Sequence, residues 1–279
     1  MSALSAAERA ATGPAVAGSA PEWSAVAKPA PGRPRVIGSP ALGCIAGAQA
    51  LAPDGPGWQA IRLSRNRNWG HPALLAFVQD LAGAARTRGL PALWIGDLAQ
   101  PRGGPMPFGH ASHQTGLDVD IWLDLSPKAH APVAAREDIR AVSLVLPDET
   151  GVSRTQWLPG HTTLIRLAAE APGVDRVLVN HAIKRELCRA NAGAAWLRRV
   201  RPWRGHDAHM HVRLRCPPGE GECRDPPPPP PGDGCDSSLA WWLTPEAQQP
   251  PRRPPPTEPP PPLPAACAAV LEDGAARPG

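Results

Sequence analysis

Apolar residues recur at helical spacing after Pro72, where Leu74, Leu75, Val78, Leu81, Ala82 and Ala85 fall on one face. Pro72 suits the first helical position, Gly89 ends the run, and His71 before it stands as a structural residue or a cap. The same period predicts helices over 132–140, 162–171 and 182–190, whereas 141–146 is an apolar segment of undecided type. Elsewhere the period falls to two. In residues 118–124, Asp118, Asp120 and Trp122 share one face and Val119, Ile121 and Leu123 the other, which predicts a strand with one wet face. Residues 209–215 alternate in the same way, so His209 and His211 point together. Residues 58–69 read as a strand with its turn, 92–95 and 176–179 as short strands, and 101–105 (Pro-Arg-Gly-Gly-Pro) as a flexible loop able to frame a cleft. Strands at both ends of helical segments predict an α+β fold, with an antiparallel sheet that carries polar side chains on one face and helices at its flanks.

The 42% apolar fraction of the 279 residues supports one core, placed at 36–245. Residues 1–35 are rich in Ala, Gly, Ser and Pro without periodicity and are expected to be disordered. Residues 1–20 end in small residues, as a signal cleavage site does. With Arg9 the sole basic residue and no apolar centre, they make a poor signal peptide. No apolar run approaches membrane-spanning length, so no transmembrane helix is expected. A net charge of +4, with arginines scattered, argues against a nucleic-acid partner and is compatible with an anionic wall polymer. Twenty of the 39 prolines lie from Pro217 onward, which excludes regular helix or sheet and predicts an extended tail at 246–279.

Six cysteines without a CxxC spacing, all outside the histidine-rich windows, read as three disulfides formed in an oxidising compartment. The sequence alone leaves fifteen pairings open.

Five of the nine histidines fall in two windows, 110–120 (HASHQTGLDVD) and 206–211 (HDAHMH). Imidazoles beside carboxylates in this density suit a zinc site. His113 and Asp120 are seven apart with Gly116 between, as for one ligand on a loop and one on the strand that follows a tight turn. Of His209 and His211, one can bind the metal while the other sits beside it. Two histidines and a carboxylate leave a coordination position open, the arrangement of a catalytic centre. Arg198, Arg199, Arg201 and Arg204 precede the second window, either as a solvated face or as a carboxylate-binding set.

The longer strings IGDLAQP, GHASHQTGLDVDIW, VNHAIKRELC, VRPWRGHDAHMHVRLRCP and GDGC resemble the penicillin-insensitive murein endopeptidases. These are zinc enzymes grouped with D-alanyl-D-alanine peptidases, lysostaphin-type enzymes and the Hedgehog signalling domain, and the likeness covers about residues 30–273. The resemblance implies Zn²⁺ on His113, Asp120 and His211, with His209 as general base. It places His206 in support of the base or of the tetrahedral intermediate, His110 as extra ligand or outer contact, and Asp118 behind the ligands. It implies disulfides Cys44–Cys267, Cys188–Cys235 and Cys216–Cys223, the first tying the Pro-rich tail back. It further implies cleavage of D-alanyl to meso-diaminopimelyl cross-links between peptidoglycan stem peptides, without a serine nucleophile, in the periplasm. Some relatives carry a second metal near an Asp and a His after the first window. Here Asp148 is followed by Thr150 and Gly151 where the histidine would stand, which argues against a second site. A D-alanyl-D-alanine carboxypeptidase or dipeptidase, or a non-catalytic zinc module binding wall peptides, remains as an alternative.

Overall fold

A computed structural model describes residues 18–248 and 261–273. Its strands are β1 (Arg35–Ser39), β2 (Leu42–Ala46), β3 (Gln49–Ala50), β4 (Asp54–Gly55), β5 (Trp58–Ala60), β6 (Trp69–Gly70), β7 (Leu93–Ile95), β8 (Asp118–Trp122), β9 (Val174–Val179), β10 (Val200–Pro202) and β11 (His209–Leu214). Its helices are α1 (Ala20–Ala25), α2 (Pro72–Thr87), α3 (Pro159–Glu170), α4 (His181–Asn191), α5 (Ser237–Trp242), α6 (Pro245–Gln248) and α7 (Ala266–Glu272).

The main sheet has seven strands in the order β10-β9-β11-β8-β7-β5-β4. At its centre β11 is antiparallel to both β8 and β9. Towards the edges β10 runs parallel to β9, and β5 to β7. The fold is α+β as expected, but the sheet is mixed. Crossovers through α2 and α4, which return the chain alongside its earlier direction, produce the parallel pairs.

Alternation sorts the two faces of the centre. Val119, Ile121, Val177, Val179, Met210 and Val212 join one apolar cluster with Leu74, Val78, Leu81, Leu164, Ile165 and Ile183 of α2, α3 and α4. The opposite face carries the acids and histidines. It is not wet, because every residue of β8 is buried. His113, from the loop before β8, lies over that face against Asp120 and His211 and is fully buried.

His71 caps α2 as anticipated, its Nδ1 accepting from the Ala73 N–H at 3.1 Å. Asn180 caps α4 through Oδ1 in the same manner. The helix expected at 132–140 shrinks to a single tight turn, Val133–Arg136. The buried Arg136 guanidinium donates to the carbonyls of Ala131, Pro53 and Ala60, and these tertiary bonds override the local preference for helix.

Two segments expected to be loose are packed. Residues 18–34 include α1, whose Trp23 is fully buried, so disorder over 1–35 does not extend to them; residues 1–17 lie outside the described region. In 101–105, Gly103 and Gly104 have φ of 65° and 72°. A Cβ on Gly103 would stand 1.8 Å from the Gln114 carbonyl oxygen, and one on Gly104 would stand 2.2 Å from the Trp23 ring. Glycine there permits a close approach of buried backbone.

The six cysteines form Cys44–Cys267, Cys188–Cys235 and Cys216–Cys223. The proline runs after β11 cannot join a ladder, and their carbonyls are satisfied by side chains, while between them Cys223 forms an isolated bridge with Gly38 of β1. Arg198 donates to Pro229 and Pro230, Arg176 to Pro227, and Lys184 to Asp233. Arg199 donates to the Ala169 carbonyl and Arg204 to that of Ala247. Three of the four clustered arginines are thus backbone anchors, neither a solvated face nor a carboxylate set. Contrary to expectation, helix is not excluded from the region after Pro217: α5, α6 and α7 form in it where proline is sparse or stands at the first helical position, and the parts of the tail at 249–260 and 274–279 lie outside the described residues.

Two stability outcomes follow from these ties. The separations bridged are 223 residues for Cys44–Cys267 and 7 for Cys216–Cys223. Loop entropy then gives about 5 and about 2 kcal/mol, so Cys44→Ser should lower the thermal midpoint more than Cys216→Ser; an inverted order in scanning calorimetry contradicts this. Lys184 is fully buried. Burial, followed by the charge of Arg201, lowers its pKa to about 8. Below pH 8 both folded and unfolded chains hold this proton and the burial cost is present in full. As pH rises towards 10.5 the folded chain loses it first, so stability rises. Relative to Lys184→Met, the wild type should gain up to ~3 kcal/mol between pH 8 and 10.5 in denaturant titrations, and a flat difference would contradict the assignment.

Candidate metal centre

Neighbouring strands build the centre. In the β8–β11 register His211 stands opposite Asp120, Arg213 opposite Asp118 and His209 opposite Trp122, so all six side chains share the face away from the apolar cluster. His113 reaches the same point from the loop before β8. Its φ is +66°, and Gly116, also at positive φ, turns the chain into the strand.

His113 Nε2 lies 3.1 Å from His211 Nδ1 and 3.4 Å from Asp120 Oδ1, and His211 Nδ1 lies 3.2 Å from the same oxygen. Tetrahedral ligands about 2.0–2.1 Å from an ion stand about 3.3 Å apart, so this triangle has the dimensions of one face of a coordination tetrahedron. Asp120 Oδ1 is buried without a hydrogen-bond donor. A buried carboxylate oxygen facing two ring nitrogens is what a cation would satisfy. Donor types, spacing and the orphaned oxygen all fit a metal ion.

The surroundings fix the ring state of His211. His211 Nε2–H donates to Asp118 Oδ1 at 2.7 Å, which leaves Nδ1 to face the triangle. Arg213 Nε donates to the same Asp118 oxygen at 2.7 Å. Burial would raise the Asp118 pKa, but Arg213 and then His211 outweigh it and hold the carboxylate ionised. Asp120 is likewise held well below the usual range, burial being overcome chiefly by His113 and His209. Burial lowers His113. It lowers His211 too, but the hydrogen bond and charge of Asp118, then those of Asp120, prevail and raise it to about 9. The two carboxylates demand positive charge at this point.

Around the triangle stand three more histidines. His110 Nε2 lies 3.5 Å from Asp120 Oδ2 and 3.3 Å from Asp97 Oδ2. His110, His113 and Asp120 present ligand atoms all within 4.8 Å of one another, a group able to hold a metal. His209, part exposed, places Nε2 3.8 Å from Asp120 Oδ2. His206 lies on the loop before β11 with φ +54° and is turned back, so that its ring is 4.8 Å from that of His209 and 5.9 Å from that of His211. Its Nδ1–H donates to the Arg204 carbonyl at 2.8 Å. Burial, then the neighbouring His209, lowers its pKa to about 4, so the ring is neutral with a lone pair on Nε2.

Asp148 takes no part: its exposed carboxylate accepts from the Thr150 N–H and hydroxyl in a tight turn. Pattern reading missed Asp97, whose buried Oδ2 accepts from Arg67 at 3.0 Å and Arg65 at 3.2 Å as well as from His110. Arg67 also bonds the Phe108 carbonyl and so fixes the loop that carries His110. Asp97 sits within the string IGDLAQP, but no spacing there connects it with a histidine thirteen residues on. It missed Arg176 too, which lines the same cleft as His110, His206 and His211.

A family model for penicillin-insensitive murein endopeptidases, peptidase M74, matches residues 36–272. A protein of that name from Haemophilus influenzae is 44% identical over 208 residues, covering 73% of this chain and 72% of its own. Those from Klebsiella pneumoniae subsp. pneumoniae and Salmonella heidelberg are 45% and 46% identical over 204 residues, each covering 73% of this chain and 74% of its own.

The geometry leads to a metal-content prediction. Purified protein should carry a divalent ion that Asp120→Ala loses on dialysis, while Asp118→Ala weakens binding by about 10- to 100-fold through the unsupported His211 ring. Elemental analysis and competition with a chelating dye read both. Full occupancy in Asp120→Ala would remove Asp120 from the ligand set.

Proposed function

The chain belongs to the penicillin-insensitive murein endopeptidase family, and from that premise we propose that it is a zinc endopeptidase cutting the D-alanyl to meso-diaminopimelyl cross-links of peptidoglycan in the periplasm. The observation that carries this reading is the triangle of His113 Nε2, Asp120 Oδ1 and His211 Nδ1, with His209 and His206 beside it. Two imidazoles and one carboxylate are the donor set of zinc hydrolases that keep a position for water or substrate.

Bound zinc would supply Lewis acidity to the scissile carbonyl and to the attacking water. His209, near the triangle yet open to solvent, takes the proton from that water and passes it to the departing amine. His206 has committed its N–H to the Arg204 carbonyl and has no proton to offer an oxyanion, so its role is to support His209. Asp118 orients His211, and His110 steadies the second oxygen of Asp120 from its seat on Asp97. No serine enters these steps, consistent with indifference to penicillin. The three disulfides require an oxidising compartment, which favours the periplasm. No helix among the described residues is long and apolar enough to cross a membrane.

Chromatography of muropeptides after incubation with purified protein tests the reading. Cross-linked dimers should convert to monomers, chelator should stop this, and added zinc should restore it. His209→Ala should keep its metal and lose about 10²- to 10⁴-fold in turnover, with His206→Ala losing less. Were His206→Ala inactive with metal bound while His209→Ala stayed near full activity, the two roles would be exchanged.

A further inference from the structure

The cleft over the metal centre, about 440 Å³, is lined by Arg176, Arg204 and Arg213 together with His110, His206 and His211, and no carboxylate is among its lining residues. Arg213 and Arg176 are direct cross-strand partners on β11 and β9, as His211 and Leu178 are one step along the same face. Like charges set directly opposite each other on a sheet repel. Each of these two is steadied by one carboxylate: Arg213 through Nε on Asp118, which shares its face of the sheet, and Arg176 through Nε on Asp175, its neighbour in sequence. Arg176 also spends one terminal N–H on the Pro227 carbonyl. For Arg213 no bond from its two terminal nitrogens to another described residue is present, although its side chain is only 12% exposed. Arg213, gripped at Nε, keeps its outer edge open to an incoming carboxylate in the paired geometry that arginine favours, and Arg176 adds Nη1, the terminal nitrogen left over by its bonds to Asp175 and Pro227 among the described residues.

We infer that Arg213 and Arg176 form a carboxylate subsite that positions the substrate, taking the carboxylate on the carbon next to the scissile nitrogen. Spacing supports the choice. Arg213 lies two residues beyond His211, about 7 Å along the strand and on the side away from His209. Asp118 Oδ1 receives both the His211 ring and Arg213 Nε. One imidazole and two hydrogen bonds therefore separate the metal-facing Nδ1 from the guanidinium. A carboxylate two bonds from an amide held at the metal spans such an interval. The inference rests on the murein reading for its substrate, since the diaminopimelyl residue that supplies the scissile nitrogen carries that carboxylate. Arg204 stands apart, its Nε on the Ala247 carbonyl and its guanidinium over the Trp242 ring.

Titration calorimetry on the zinc-loaded protein tests this with an uncross-linked muropeptide monomer, which an endopeptidase does not cut. The monomer is compared with the same molecule carrying a carboxamide in place of that diaminopimelyl carboxylate. Wild type should bind the acid at least tenfold more tightly than the amide. Arg176→Gln and Arg213→Gln should each bring the ratio towards one, and Arg176→Lys should keep part of it. Thermal melts establish that each variant is folded, and the wild-type ratio stands even where a variant is not. Equal binding of acid and amide by wild type, no measurable binding of either, or a full acid preference in folded Arg176→Gln and Arg213→Gln would overturn the subsite. Acid preference without cleavage of cross-linked dimers would instead overturn the endopeptidase reading and leave the subsite standing.

Discussion

Two ionised carboxylates buried in the central strand are the constraint on which the other parts depend. Asp118 and Asp120 are both buried, on alternate positions of β8 that share a face. Burying one such charge without compensation costs more than a domain's net stability can bear. Asp118 is answered by Arg213 and His211, Asp120 by His113 and His211 and by whatever cation the orphaned Oδ1 receives. The sheet order serves this need. It places β11, the strand that carries the basic partners, next to β8 and in the register that sets Arg213 on Asp118 and His211 on Asp120.

The edges of the fold solve a related problem with uncharged acceptors. The proline runs of the strap have carbonyls and no N–H groups, so they cannot form a ladder, and the strap's backbone meets β1 where Glu222 and Arg224 bond Gly38. Arg198, Arg176 and Lys184 reach those carbonyls, while Arg102 donates to Val270 and Leu271 at the end of α7. The Cys44–Cys267 and Cys188–Cys235 bonds hold the strap close enough for these long side chains to find it. Of the arginine cluster that sequence reading assigns to solvent or to a carboxylate, Arg198, Arg199 and Arg204 are here spent on backbone.

Sequence periodicity recovers what is local. Helix α2 with its His71 cap, α3, α4, β8 and β11 stand within a few residues of their predicted places, since amphipathic spacing and capping act over one or two turns. His206 returns from a loop towards the cleft, and its neighbours Gly205 and Asp207 are residues that favour a loop over a strand at this point. Other features depend on distant partners and leave no local trace. The polar face of β8 is buried against His113 from a loop and the side chains of β11, and Trp23 packs closely on Gly104, which is distant in the chain. Asp97 is paired with arginines some thirty residues earlier in the chain. Alternation announces that Asp118 and Asp120 share a face, but it cannot tell whether that face meets water or protein.

Asp118 also joins two tasks that a description by ligand set would separate. One of its oxygens receives both the ring that faces the triangle and the guanidinium that faces the cleft. Its second oxygen is buried and has no donor, so it has no other bond with which to adjust. A shift of this carboxylate would therefore move His211 and Arg213 together. In the proposed subsite, coupling of this kind would keep a charged substrate group and the metal-facing nitrogen at a constant separation, which matters more for a peptide bond than the strength of either contact. Misplacement by about 1 Å can cost a hundredfold in rate. Binding a carboxylate more tightly without that registration would only lower KM. The buried acid pair, whose charge the fold has to neutralise in any case, would thus also fix the distance at which the proposed chemistry operates.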